Sequence, residues 1–168
     1  MKYLKATITA LIISLGLGIS ASAQTFLTSI DGERVDIQGQ RGKVVILAIG
    51  ASWLPLSGKQ AEYTNALAKK YAGRDVAIYF IATDSNSQRS RNFASNESIA
   101  KFATSNKLAV PVLRDSDGAA TLKRFSIDQL PTFVVLDKQG NMAGKPFGGI
   151  DPKFDITVPI SRTVDGLL

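Results

Sequence analysis

The run Val44-Val45-Ile46-Leu47-Ala48-Ile49 constrains the fold more than any other segment. Six consecutive apolar residues, most of them β-branched, cannot alternate between a wet and a dry face. As a strand, the run must be covered on both sides. It is too short to cross a membrane. A strand buried on both faces requires a layer of chain above it and another below.

Other segments supply the remaining parts. Val76 to Thr83 is a second run of the buried type, and Pro131 to Leu136 is a third, with its proline where a strand starts. Between the first two, a helix is expected from about Ser57, a reasonable N-cap or first-turn residue, to a stop at Gly73. Ala61, Leu67, Ala68 and Tyr71 fall on its core side, and Lys59, Glu62, Lys69 and Lys70 on its wet side. The polar stretch Asp84 to Asn96 reads as a loop. A second helix is expected from about Glu97 to Asn106, burying Ile99, Phe102 and Ala103, followed by a short extended piece at Val110-Pro111-Val112-Leu113. A short helix is expected at Ala119 to Phe125. After the third strand, Lys138-Gln139-Gly140-Asn141 turns into a last strand near Met142 to Phe147. Ile160, Val164 and Leu168 are spaced for a terminal helix. At the other end, Phe26 to Ile37 holds two short apolar segments around the turn Asp31-Gly32. The alternation of strand and helix, ending in a hairpin, implies an α/β fold with a mixed sheet and helices on both faces.

The first residues read as an address. Lys2 and Lys5 make a short positive region, Ala6 to Ile19 is uncharged and mostly apolar, and Ala21-Ser22-Ala23 gives the small-x-small pattern of a cleavage site. The apolar stretch is short for a membrane anchor, which needs about 20 residues. Residues 1–23 are therefore expected to be a signal peptide, and residues 24–168 a single domain, periplasmic or secreted, with no stable membrane insertion after cleavage. The formal charge of +6 is scattered, with its densest points at Lys69-Lys70 and Arg89-Ser90-Arg91. That is a solvated basic surface and not a nucleic-acid footprint.

The chain has no cysteine and no histidine. It therefore has no thiolate, no disulfide, no Ser-His-Asp triad and no imidazole or thiolate metal ligand. No glycine-rich phosphate loop follows a strand, so no cofactor and no metal are expected. Ser98 and Lys101 have S-x-x-K spacing without its companion motifs, and read as a solvated helix face. Asp115-Ser116-Asp117-Gly118 lacks the later ligands of a calcium loop and reads as a turn. Asn96-Glu97-Ser98 is a formal glycosylation sequon.

The stretch Gly42 to Ser57, with its buried strand and then Ala51-Ser52-Trp53-Leu54-Pro55-Leu56-Ser57, resembles the strand and Trp-Cys-x-x-Cys motif of exported thioredoxin-like thiol–disulfide oxidoreductases. Leu130-Pro131-Thr132-Phe133-Val134-Val135-Leu136 resembles that family's cis-proline segment, and Phe26 to Ile37 its extra N-terminal hairpin. The resemblance implies a thioredoxin-like three-layer α/β/α fold with an N-terminal β-hairpin. It also implies a cis bond before Pro131. The departure is as specific: Leu54 and Ser57 stand in the two cysteine positions. In the family, the first cysteine is a thiolate at a helix N-terminus and the second resolves the mixed disulfide. Leu54 and Ser57 can do neither, so no catalytic residue is carried over.

The residue before the family's cis proline offers its backbone to an extended substrate peptide, and Leu130 holds that place. Strand addition of this kind needs no thiol. The residues that would form a peptide- or partner-binding groove are Trp53, Leu54, Pro55, Leu56, Leu130 and Pro131. Two uses of Leu54 and Leu56 stay open: an exposed docking patch, or a plug that seals a dead site. The expected partner is an exported protein or an extended peptide segment. The alternatives are a redoxin-type activity by a cysteine-free route, and a relic domain that binds nothing.

Overall fold

The computed structural model describes residues 25–168. The expected signal peptide and its cleavage site lie outside these residues. A seven-stranded mixed sheet is built from β1 (Phe26–Ser29), β2 (Arg34–Asp36), β3 (Val44–Gly50), β4 (Val76–Ala82), β5 (Val112–Arg114), β6 (Thr132–Leu136) and β7 (Phe147–Gly148), in the order β2-β1-β5-β4-β3-β6-β7. Strands β3, β4 and β5 run parallel, while β6 is antiparallel to β3, β7 to β6, and β1 to both β5 and β2. The helices are α1 (Ser57–Lys70), α2 (Asn96–Ser105) and α3 (Thr157–Asp165).

Strand β3 lies between β4 and β6 and is buried along its whole length. Its alternate side chains feed two separate cores. Val44, Ile46 and Ala48 join Tyr63 and Leu67 of α1, Tyr71 just after it, Ile99 of α2, and Ile160 and Val164 of α3. Val45, Leu47 and Ile49 join Leu27, Ile37, Leu113, Phe125 and Val134 on the other face. All three α-helices thus pack on one face, not on both. The second face is covered by the connection from β5 to β6, which must pass beneath β4 and β3 to reach its place in the sheet. The architecture remains three-layered, with an outer layer of turns in place of an α-helix.

The helix expected at Ala119 to Phe125 is not formed. A 3-10 turn at Ser116–Gly118 is followed by successive turns. Asp117, Gly118 and Ser126 have positive φ (57°, 67° and 52°), which breaks the helical path at both ends. Between them, Leu122 N–H donates to Gly118 O and Phe125 N–H to Thr121 O, too few bonds for a regular ladder. The strand expected at Met142 to Phe147 shrinks to a bridge between Met142 and Leu136 and the short β7. Gly144, at φ 86°, and Pro146, which has no N–H, interrupt it. Helix α3 ends before Leu168, and the N-cap position of α1 is Leu56, with no capping side chain. Helix α2 is capped by Ser95, whose side chain accepts from Ser98 N–H. Ile99 is its buried residue, with Phe102 and Ala103 partly covered.

Candidate functional site

The register of β3 with β6 sets Ile49 opposite Thr132, so the chain leaving β3 at Gly50 and the chain entering β6 at Pro131 meet at one end of the sheet. A Cβ placed on Gly50 would lie 3.4 Å from Pro131 Cβ. The Leu130–Pro131 bond is cis.

The segment from Gly50 to Ser57 is held by side chains placed beneath it. Asp84, buried at the end of β4, accepts Ser52 N–H at 3.0 Å and Ser52 Oγ–H at 2.6 Å. Thr83 N–H and Oγ–H both donate to Gly50 O, at 2.7 and 3.0 Å. Ser57 is buried, and its hydroxyl donates to Ala51 O at 2.6 Å. The hydroxyl at the second cysteine position is thus occupied in closing the turn. With no imidazole or carboxylate on it, it has no base to make it a nucleophile. The third anchor is Gln60, fully buried in α1. Its Nε2 donates to Ile49 O at 3.1 Å and to Thr132 O at 2.9 Å, tying the end of β3 to the start of β6.

Above these anchors the surface is apolar. Trp53 is 52% exposed, Pro55 is exposed and Leu54 is half-buried. Leu56 leans on the helical-side core and Leu130 on the opposite core, while Pro131 is buried. The structure therefore brings Trp53, Leu54 and Pro55 to the surface, and uses Leu56 to seat the start of α1. Leu130 and Pro131 lie just beyond the last paired residue of β6, Thr132, which pairs with Ile49 on one side and Gly148 on the other. Among the described residues, neither the N–H nor the C=O of Leu130 has a hydrogen-bonding partner.

Sequence reasoning missed Gln60 and Asp84. Gln60 reads as one more polar residue on a helix, and its partners are backbone carbonyls far along the chain. Asp84 reads as the start of a polar loop. The weaker motifs are absorbed by local structure. Asp115 accepts from the N–H groups of Ala120 and Thr121 and from the Thr121 hydroxyl, and Asp117 pairs with the Ser85 and Ser116 hydroxyls. Among the described residues, no group of His, Cys, Asp and Glu is placed to hold a metal ion, and no helix is long and apolar enough to cross a membrane.

A mixed sheet with β6 entered through a cis proline, and α1 starting at the end of β3, defines a thioredoxin-like fold. Solved structures agree. The pneumococcal exposed lipoprotein thioredoxin Etrx1 of Streptococcus pneumoniae superposes with a TM-score of 0.67 at 24% identity, over 86% of this chain and 100% of that one. A secreted Mycobacterium tuberculosis disulfide oxidoreductase homologous to E. coli DsbE superposes with a TM-score of 0.63 at 21% identity, over 86% and 96%. The AhpC/TSA family pattern matches residues 19–145, and the chain belongs to that family. Among curated relatives, the thiol-disulfide oxidoreductase ResA of Bacillus cereus strain ZK / E33L is 28% identical over 131 residues, 77% of this chain and 70% of that one. The thioredoxin-like protein YneN of Bacillus subtilis strain 168 is 26% identical over 116 residues, 68% and 62%. Thiol–disulfide exchange begins with attack by a thiolate, and this member of the family has no cysteine to supply one.

Proposed function

We propose that the protein is a redox-inactive thioredoxin-like protein of the cell envelope, which holds an extended segment of an exported partner in the groove beside Leu130-Pro131, in a chaperone or assembly role. The observation that carries this reading is the free backbone of Leu130, at the same end of the sheet as the exposed Trp53 and the half-buried Leu54 in a chain without a thiol. An incoming strand can satisfy that N–H and C=O by β-addition, and its side chains can cover the apolar surface. The envelope location is supported by the N-terminal address and by the secreted and lipoprotein descriptions of the two structural neighbours.

The test uses an unfolded, soluble chain: fluorescein-labelled, reduced and carboxymethylated α-lactalbumin. Its anisotropy should rise with the unsubstituted protein and should not with Leu130→Asp or Leu54→Asp, both still folded by circular dichroism. Equal binding by all three proteins, or none by the unsubstituted one, refutes the groove. Insulin reduction and peroxide consumption should match a blank without protein, and turnover in either would restore the enzymatic reading of the family.

A further inference from the structure

We infer that Gln60 is the positioning residue of the groove: an uncharged latch that fixes the free Leu130 backbone relative to the loop bearing Trp53 and Leu54. The inference rests on the docking role proposed above and names the part that sets its geometry.

Gln60 meets the site from below. Its two N–H groups are spent on Ile49 O and Thr132 O, one carbonyl from each side of the groove. Both acceptors are backbone atoms at the ends of their strands, where the ladder between β3 and β6 stops. The paired register of the two strands ends at Ile49 and Thr132, and the amide adds a side-chain link across that last pair. The donors also fix which way the amide points. Turned over, it would set an oxygen against two carbonyl oxygens. The Oε1 atom is then left buried without a partner, against Gly50 and beside Pro131. It fills the space in which any side chain at position 50 would stand. A buried orphan acceptor is costly, and here it accompanies the placement of both donors.

A neutral amide is the side chain this position requires. The groups it bonds or abuts, namely Leu56 and Thr64 of α1 and its approach, Ile49 and Gly50 of β3, and Pro131 and Thr132 at β6, are all uncharged; the buried ionisable group on the same segment is Asp84, bound to Ser52 and common to every variant below. A glutamate of the same shape could donate only when protonated, and then to one carbonyl rather than two. Its ionised form would face both oxygens in a dry site. Gln60→Glu therefore turns a latch indifferent to pH into one that opens as pH rises. Burial raises the carboxyl pKa above its unfolded value, so the latch is closed at low pH and lost as pH climbs through the folded value.

Two measurements on the unsubstituted protein, Gln60→Glu and Gln60→Met test this. In the protein alone, the backbone amide resonances of Gly50, Leu130 and Thr132 are followed from about pH 5 to 9, the span a buried carboxyl reaches. They should be flat in the unsubstituted protein, titrate together in Gln60→Glu, and be displaced without titrating in Gln60→Met. Binding of the labelled α-lactalbumin should weaken roughly tenfold across the same span in Gln60→Glu, and should be roughly tenfold weaker at every pH in Gln60→Met. Resonances of Gln60→Glu that stay flat, or that move together with the whole sheet, make Gln60 an ordinary core residue and overturn the inference. If Gln60→Glu does not fold, unshifted Leu130 and Thr132 resonances in Gln60→Met overturn it equally. Resonances that titrate as expected, in a protein that leaves α-lactalbumin unbound, support the latch and refute the docking role alone.

Discussion

Gly50→Ala is the sharpest probe of how the site is built. The glycine ends β3 with no unusual backbone requirement, so alanine is not excluded by conformation. It is excluded by Gln60, whose Oε1 occupies the place of the new Cβ. The amide cannot swing away freely, because its Nε2 holds Ile49 O and Thr132 O at 3.1 and 2.9 Å. Displacing it leaves one or two buried carbonyls unpaired, a loss of about 2–4 kcal/mol. Replacing glycine by alanine returns about 0.5–1 kcal/mol by restricting the unfolded chain. The net cost should be about 1–3.5 kcal/mol, read as a lower urea midpoint at unchanged m. The same substitution in a Gln60→Ala background meets only Pro131 Cβ, at an ordinary 3.4 Å. There it should be neutral or slightly stabilising, giving a coupling of about 2–4 kcal/mol in the double-mutant cycle. A Gly50→Ala protein as stable as its parent, or one whose cost is the same with and without Gln60, would refute the reasoning.

Asp84→Asn keeps one acceptor for two Ser52 donors and should cost about 1–2 kcal/mol; because Ser52 precedes Trp53, acrylamide quenching of that sole tryptophan should also increase. Ser95→Ala removes the cap on Ser98 N–H and should cost about 1 kcal/mol, measured by thermal denaturation, with the groove unaffected. Asp165 receives a hydrogen bond from Lys70, another from the Tyr71 hydroxyl and the field of Arg74, which together hold its carboxyl below the usual value. Its contribution is present above the unfolded pKa of about 3.9 and is lost as pH falls through the folded one, so Asp165→Asn should flatten the decline in stability on acidification. The pairs are exposed, so added salt should shrink that difference between the two proteins.

What the sequence disclosed follows from the kind of force involved. Burial on both faces writes itself as an unbroken apolar run, so β3, β4 and β6 are legible. Side chains four apart announce α3 through Ile160 and Val164. The crossing from β5 to β6 is not legible in the same way. Its path depends on Asp117 and Ser126 adopting positive φ, and on the Asp115 carboxylate gathering the N–H groups of Ala120 and Thr121, neither of which has a period. The candidate site divides along the same line. Trp53, Leu54, Leu130 and Pro131 could be picked out because a family motif marks their positions. Gln60 and Asp84 could not, since each is a polar residue whose partners are backbone groups or a serine remote in sequence. For Leu56 the sequence leaves a docking patch and a plug both open, and packing against the helical-side core draws it inward.

The strand order has a consequence for when the groove can exist. Its two walls are the end of β3 and the start of β6, and β4, α2 and β5 are all made between them. Their pairing closes a longer stretch of chain than that of β3 with β4 does, at a greater loop-closure cost. A chain growing from its N-terminus can present Trp53 and Leu54, but it has no opposite wall until Leu130 and the strand behind it arrive. On the docking role proposed above, a copy that stops before Leu130 lacks one wall of the groove and should hold no partner.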